Sequence, residues 1–240
     1  MTKASHSAAR ILSRSEFLES VLALKPRTAV FDFDGTLWPG DAGAGFMHWT
    51  IATRLLPEAA TRHILDRHAL YHRGHVDEIS ICGEMTQIYS GLAEDALRSS
   101  AARYFADHVQ PHFFPEMLAL AQGLKQSGTD VWAVSSTNNW MIEEGVRQIG
   151  IPADRVLAAE VEVKDGTATT MLVDVPSDEG KAAALNRVGL TQPDVVFGNS
   201  IHDLHMLEMA RHPFPINPSE KLAEIAAERG WPIYYPATEQ

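Results

Sequence analysis

The sequence contains little cysteine and no long apolar run, and both absences narrow the class of protein. Cys82 is the only cysteine among 240 residues, so no disulfide can form within the chain and nothing indicates an oxidising compartment. No uncharged apolar stretch approaches the ~20 residues that a membrane-spanning helix needs. Residues 1–26 carry charges throughout and lack the continuous apolar segment of a secretory signal. We therefore expect a cytoplasmic protein.

Basic side chains are also scarce. Twenty lysines and arginines stand against 31 aspartates and glutamates, which gives a formal net charge of −11. Nucleic acids and anionic membranes attract basic surfaces, so neither is expected to be a partner. The length suits one sizeable domain that buries its own core, with a smaller insertion.

The most informative segment is the apolar run Ala29–Phe31, which ends in two aspartates at positions 32 and 34. Side chains two residues apart on a strand share one face, so Asp32 and Asp34 would both point into the crevice where the strand ends. Two carboxylates there repel each other unless a cation or a reaction requires them. The alternative is an acidic turn that joins a strand to a helix.

The rest of the chain divides into a helical part and an alternating part. Residues 38–114 lack Val/Ile runs and show helical spacing, with breaks that predict four helices at Phe46–Leu56, Ala59–Arg73, His75–Tyr89 and Glu94–His108. Beyond them, strands alternate with helices, and Lys164–Thr167 indicates a β-hairpin. The pattern predicts an α/β fold, a doubly wound parallel sheet with an inserted all-helical domain.

Four motifs in order resemble those of the haloacid dehalogenase superfamily, a large group of mostly Mg²⁺-dependent phosphatases. Asp32–Thr36 matches the family's Asp-x-Asp-x-Thr motif after a hydrophobic strand. A second apolar strand ends in Ser135, and Lys181 opens a helical stretch where the family places a phosphate-binding lysine. A third apolar strand runs into Gly198–Asp203, where the family usually has Gly-Asp-x-x-x-Asp. The resemblance covers about 170 residues and departs from the pattern at one place, since Asn199 replaces the first metal-binding aspartate.

The position of the helical insertion resembles the branch of the family that includes phosphoserine phosphatase. The resemblance implies a Rossmann-like core of residues 1–37 and 115–240, within which residues 1–26 form an N-terminal helical extension. Residues 38–114 would then form the cap. Ser13 or Ser15 is predicted to start a short helix in the extension.

The resemblance also implies a mechanism and its residues. Asp32 would attack phosphorus to form an aspartyl-phosphate, and Asp34 would protonate the leaving group and later activate water. Mg²⁺ would be held by the Asp32 carboxylate, the Asp34 backbone carbonyl and the side chains of Asn199 and Asp203. The phosphoryl oxygens would be bound by the side chains of Ser135, Ser136 and Lys181.

Each of these residues also has an ordinary structural explanation. A serine at a strand end forms turns, a helical lysine is usually solvated, and Asp203 would by itself suggest a helix cap. Asp41 lies where phosphoserine phosphatase-like proteins carry an acidic residue that faces a substrate amine, and a solvated turn explains it equally well. Trp38, Phe46 and Met85 are candidate pocket walls, although such residues at helical spacing more often belong to the core.

Two other functions remain open. A haloacid dehalogenase also uses an aspartate nucleophile, but it needs neither an acid for the leaving halide nor a metal, so Asp34 argues against it. The second alternative is a non-catalytic protein that binds phosphate ligands, and Asn199 is the only residue that supports it. The predicted partner is a small phosphate monoester, and phosphoserine, histidinol phosphate, phosphocholine and sugar phosphates all remain candidates. Transfer of the phosphoryl group to an acceptor other than water also remains open.

Overall fold

The computed structural model describes residues 10–237, and its centre is a sheet of six strands. They are β2 Thr28–Phe31, β3 Asp130–Asn138, β4 Val156–Lys164, β5 Thr167–Asp174, β6 Val195–Gly198 and β7 His212–Pro215, and β1 Ile11–Leu12 and β8 Ile233–Tyr234 form a separate parallel pair. The order across the sheet is β5-β4-β3-β2-β6-β7, and only the β4–β5 pair is antiparallel. The predicted α/β architecture is confirmed.

Apolar side chains cover both faces of the central strands. Val30 packs with Val196 on one face, whereas Phe31 points to the other and stacks on Phe197 with ring centroids 4.4 Å apart. Successive residues of a strand point to opposite faces, so a strand buried on both sides is apolar throughout. This explains why the sequence shows continuous apolar runs there rather than an alternation.

Helices flank the sheet, and five α-helices lie between β2 and β3, of which the first four form the inserted segment. Within residues 10–237 the α-helices are α1 Arg14–Ala23, α2 Ala42–Ala52, α3 Glu58–His72, α4 Glu78–Gln87, α5 Glu94–His108, α6 Pro115–Gln126, α7 Asn139–Ile149, α8 Glu179–Arg187, α9 Leu204–Met209 and α10 Glu220–Arg229. The backbone N–H of Phe114 donates to the carbonyl of Leu37 at 2.8 Å. The chain therefore leaves the core for α2–α5 and returns at nearly the same point.

Two helices begin at other residues than predicted, because capping side chains define their first turns. Helix α2 begins at Ala42 rather than Phe46 because the Asp41 side chain accepts a hydrogen bond from a backbone N–H of its first turn. Helix α4 begins at Glu78 rather than His75, since Asp77 caps it in the same way. Hydrophobic spacing locates a helix, but its first residue depends on the cap.

The two ends of the described chain also meet. The predicted N-terminal helix is present as α1, with Ser13 and Glu16 forming a reciprocal capping box. The β1–β8 pair joins residues more than 200 positions apart, and each strand has only two residues, which leaves no recognisable pattern. Residues 1–9 of the predicted extension lie outside the described part. Between residues 10 and 237, no helix has the length and apolar character needed to cross a membrane.

Candidate active site

The candidate site lies at the carboxyl end of β2, between its neighbours β3 and β6. The chain runs from β2 to β3 on one side and later crosses to β6 on the other, which makes this the point where the strand order reverses. Ligands of open α/β sheets bind in the crevice at such a point. Asp32 follows directly after β2 and is 4% exposed, and its backbone N–H extends the ladder to the carbonyl of Phe197 at 2.9 Å.

A tight turn after Asp32 orients its carboxylate. Thr36 Oγ1 donates to Asp32 Oδ2 at 3.0 Å, across four residues. Gly35 has φ +74°, and a Cβ there would lie 1.8 Å from Asn199 Nδ2. Only glycine meets both requirements, a left-handed backbone and the close approach of the Asn199 side chain. The glycine therefore brings the Asp32 turn and the β6 loop together.

Three donors hold the carboxylate of Asp34. Thr137 Oγ1 donates to Oδ2 at 2.7 Å, while Trp38 Nε1 and the backbone N–H of Ala42 donate to Oδ1 at 2.6 and 2.7 Å. Burial, reinforced by the negative charge of Asp41, raises the pKa of Asp34 to about 6. The carboxyl group is thus held in one orientation, with its two protonation states close in free energy near neutral pH.

Lys181 connects two buried carboxylates. Its Nζ donates to Asp32 Oδ1 at 2.7 Å and to Asp203 Oδ1 at 2.5 Å, and all three residues are nearly inaccessible to solvent. Burial by itself would lower the pKa of Lys181, but the carboxylates of Asp203 and Asp32 raise it above its ordinary value. Lys181 therefore stays protonated. Burial and the charge of Asp203 also raise the pKa of Asp32, and the Lys181 ammonium opposes this shift.

The loop after β6 is organised around Asp203. Its Oδ2 accepts the backbone N–H groups of Asn199 and Ser200 at 2.8 and 2.9 Å. A Cβ on Gly198 would lie 2.7 Å from the Asp203 Cβ, so the strand end must be glycine for the loop to fold back so closely. Asp203 is fully buried, and its carboxylate binds backbone upstream rather than the helix that follows.

A cavity of about 230 Å³ opens above these residues and is walled on its far side by α2–α4. The candidate residues Ser135, Ser136 and Asp41 line it together with Asp32, Asp34, Lys181 and Asn199, whereas Asp203 lies beneath its floor. Ser135 Oγ also accepts the backbone N–H of Thr137 at 3.2 Å. Asp41 both caps α2 and lines the cavity, and its contact with a substrate amine stays a prediction.

The donor set at this end of the cavity is chemically suited to Mg²⁺. Asp32 and Asp203 offer carboxylate oxygens, and Asn199 offers an amide oxygen. Hard cations such as Mg²⁺ prefer oxygen ligands. Among residues 10–237, no cluster of three or more His, Cys, Asp or Glu side chains has metal-binding geometry. Asn199 adds no charge, and Lys181 contacts both carboxylates. The chemical types of these residues therefore suit Mg²⁺, although the loop at Gly198–Asp203 has one carboxylate fewer than the usual Gly-Asp-x-x-x-Asp motif of the family.

The structure adds site residues that the sequence did not reveal. Thr137 belongs to the same polar run as Ser135 at the end of β3, so this run is the sequence feature from which a role of Thr137 in the site could have been predicted. Trp38 was considered a pocket wall, but its buried ring lies behind Asp34 and only its indole N–H acts on the site. Phe46 is core, whereas Met85 does line the cavity. Glu78 was not predicted, since nothing in the sequence indicates that it lines the same cavity as Asp32.

Comparison with known families and proteins agrees with this geometry. The family model described as haloacid dehalogenase-like hydrolase matches residues 29–208, which include every motif residue above. The chain belongs to this family. It is a phosphatase-like hydrolase with the family's core fold, and the segments Asp32–Thr36 and Gly198–Asp203 meet at one crevice with Lys181.

Individual relatives cover most of the chain. A histidinol-phosphatase of Neisseria meningitidis serogroup C is 24% identical over 216 residues, covering 85% of this chain and 96% of that protein. A Bordetella pertussis Tohama I protein of unknown function superposes with a TM-score of 0.78 at 24% identity, over 87% of this chain and 98% of that one. A phosphoserine phosphatase with a phospho-aspartyl intermediate analogue has a TM-score of 0.58 at 14% identity, covering 89% and 95%. At these identities, the two structures show the shared fold.

Proposed function

We propose that this hydrolase is a Mg²⁺-dependent phosphatase that cleaves small phosphate monoesters through an aspartyl-phosphate on Asp32. The observation that carries the proposal is the joint placement of three groups in one buried crevice. These are the Asp32 carboxylate, the Lys181 ammonium 2.7 Å from it, and the Asp34 carboxyl held by Thr137. A cation beside a buried carboxylate and a fixed second acid suit phosphoryl transfer to an enzyme nucleophile.

The chain's own groups divide the reaction into two displacements. Asp32 attacks phosphorus, the bond to the ester oxygen breaks, and Asp34 gives its proton to the departing oxygen. Asp34 then takes a proton from water as the water oxygen attacks the same phosphorus, which releases phosphate and restores Asp32. Lys181, Ser135 and Ser136 would hold the phosphoryl oxygens and stabilise their charge in the transition state.

Mg²⁺ would supply positive charge that lets the anionic nucleophile and the anionic phosphate approach each other. The side chains of Asp32, Asn199 and Asp203 and the backbone carbonyl of Asp34 would hold it. We also propose that residues 38–114 act as a cap that closes over the substrate, with 1–37 and 115–240 as the core. The 2.8 Å hydrogen bond between Phe114 and Leu37 supports these boundaries.

The cavity limits the substrate to a small molecule. Its volume of about 230 Å³ is below the roughly 300–1,000 Å³ of ordinary drug-sized sites, which leaves room for a phosphate and a short alcohol. Asp41 on its wall supports an alcohol that carries an amine. Phosphoserine, histidinol phosphate and phosphocholine all have this feature, and the Neisseria relative is named for the second.

The test is phosphate release from these monoesters with Mg²⁺ or with EDTA, run beside halide release from 2-haloacids. Release of phosphate that requires Mg²⁺ supports the proposal. Halide release without a metal would indicate a dehalogenase, and binding of phosphate esters with no turnover would indicate a binder. Adding glycerol as a competing acceptor shows whether water alone receives the phosphoryl group.

Asp34→Asn is expected to slow turnover by at least ~10²-fold, because the side chain can no longer give or take a proton. The loss should be larger for alkyl phosphates than for p-nitrophenyl phosphate, whose leaving group needs no proton. The difference is measured in kcat/KM, which reports the first displacement, because the attack of water on the phosphoenzyme is the same for both substrates. An equal loss for both substrates would contradict the assignment of Asp34 as the acid.

Asn199→Asp is expected to lower the Mg²⁺ concentration for half-maximal activity by about tenfold, since it restores a charged ligand. Asparagine and aspartate have nearly the same shape, so the close packing against Gly35 is retained. Titration of activity with Mg²⁺ gives the comparison, and Asp203→Asn should shift it in the opposite direction. An unchanged midpoint in Asn199→Asp would mean that position 199 is not a ligand.

A further inference from the structure

The wall of the cavity opposite Asp32 is built by α3, α4 and the start of α2, and its chemistry differs from the phosphate end. Tyr71, Glu78 and Met85 line it from the helical segment, Asp41 from the start of α2, and His202 from the loop after β6. This wall faces the part of the substrate that leaves with the ester oxygen. Its charges therefore bear on which alcohols the site accepts.

Glu78 is the acidic group of this wall that comes from the cap helices. One of its oxygens, Oε2, accepts the hydroxyl of Tyr71 and lies 3.6 Å from His202 Nε2. The other, Oε1, has within the described residues only the Cys82 thiol, at 3.6 Å. The Glu78 side chain is 14% exposed. Glu78 is thus fixed in place on the wall of the cavity, and one of its carboxylate oxygens lacks a strong donor among the described residues.

Asp41 and Glu78 act on the same space. Burial raises the pKa of the Cys82 thiol well above its ordinary value, and the negative charges of Glu78 and Asp41 add to the rise. Both carboxylates also help raise the pKa of the Tyr71 hydroxyl, after burial and its hydrogen bond to Glu78. Glu78 at the start of α4 and Asp41 at the start of α2 therefore impose a negative potential on the part of the cavity that would hold the departing alcohol, called the alcohol end below.

Within the described residues no lysine or arginine balances this wall, and the imidazole of His202, which lies 3.6 Å from Glu78, already has Asp178 as a partner at 2.7 Å. Among residues 10–237, Lys181 is the only lysine or arginine that lines the cavity, and Asp32 and Asp203 already bind it. The nearby arginines of the helical segment pair elsewhere. Arg67 binds Glu84, and Arg98 binds Glu94 and Glu143. The alcohol end can therefore neutralise a cationic group, whereas a carboxylate would meet no free lysine or arginine of the described residues there.

We infer that Glu78, together with Asp41, selects phosphate monoesters whose alcohol carries a cationic amine and no carboxylate. This inference rests on the proposed phosphatase function and narrows its substrate class. An ammonium gains a charge-assisted contact with Glu78 Oε1. A substrate carboxylate would lose its water and meet two like charges, which costs binding free energy without compensation. Phosphoserine is therefore a poor substrate despite the similarity of this fold to phosphoserine phosphatase.

Three monoesters of nearly equal size test the inference in the wild-type protein. Phosphoethanolamine carries the amine alone, phosphoserine adds one carboxylate, and ethylene glycol phosphate replaces the amine by a hydroxyl. With Mg²⁺ present, kcat/KM for phosphoethanolamine should exceed that for each of the other two by about tenfold or more, the scale of one charged contact.

Glu78→Gln removes the charge and keeps the shape. The ratio of kcat/KM between phosphoethanolamine and ethylene glycol phosphate should then fall by about tenfold. The matched control is Glu84→Gln, a glutamate on the same helix that pairs with Arg67 outside the cavity. The ratio in this control should equal that of the wild type.

The outcomes separate the inference from the function on which it rests. Absence of Mg²⁺-dependent phosphate release from every monoester, p-nitrophenyl phosphate included, would overturn the proposed function. Phosphate release with phosphoserine equal to or better than phosphoethanolamine would overturn only the inference. If the amine preference of the wild type persists in Glu78→Gln, then Glu78 does not select the substrate, and this part of the inference is wrong. Should this variant fail to fold, Glu78→Met, which is also uncharged and of similar length, takes its place with the same tenfold fall of the ratio expected.

Discussion

Replacing Asp32 by asparagine should reduce turnover by at least about 10⁴-fold, the scale of losing a nucleophile, and should abolish the covalent phosphoenzyme. The asparagine carbonyl can still accept the Thr36 hydroxyl, which in the wild type lies 3.0 Å from Asp32 Oδ2. Lys181 keeps Asp203 as an anionic partner. The fold is therefore retained, while the attacking oxygen loses its charge and its ability to form the acyl phosphate.

The measurement is phosphate release with Mg²⁺, combined with acid quenching of the protein after mixing with ³²P-labelled substrate. Wild-type protein should carry acid-stable, hydroxylamine-labile label, and Asp32→Asn should carry none. Asp107→Asn is the matched control, since Asp107 is exposed on α5 away from the crevice. More than a few per cent of wild-type activity in Asp32→Asn would show that another group attacks phosphorus.

Lys181→Met is expected to have the largest effect on stability, in addition to the loss of activity. The ammonium lies between two buried carboxylates, and its removal leaves their negative charges facing each other without a cation. Breaking a buried ion pair from one side costs about 3–5 kcal/mol of unfolding free energy. Urea unfolding in EDTA measures this loss, because no metal can then replace the missing charge.

Mg²⁺ should restore part of the lost stability in Lys181→Met, and by more than it stabilises the wild type, since the ion would neutralise the same carboxylates. Lys221→Met is the control. Lys221 is exposed on α10, and such surface changes usually alter the unfolding free energy by less than about 0.5 kcal/mol. Equal stability of Lys181→Met and Lys221→Met in EDTA would mean that Lys181 does not neutralise Asp32 and Asp203.

Local sequence determined the order of the elements and the chemistry of the motif residues. A strand buried on both faces must be apolar, so β2, β3 and β6 could be read as apolar runs, and each run ends in polar residues. Parallel strands bring their carboxyl ends to one edge. For this reason the sequence could predict that Asp32, Ser135 and Asn199 meet, although they are far apart in the chain.

Only the tertiary structure decided how the side chains of α2–α5 face the core. Helical spacing shows that a residue lies on one face of a helix, but the rotation of α4 that turns Glu78 toward the cavity and Glu84 away depends on packing against distant strands. The same holds for Trp38, whose indole donates to Asp34 from behind. Long-range packing also created the β1–β8 pair and the Lys181 bridge, since neither has a local signal. The sequence by itself determined which groups could do chemistry, and the packing of the helical segment decided which side chains line the cavity opposite them.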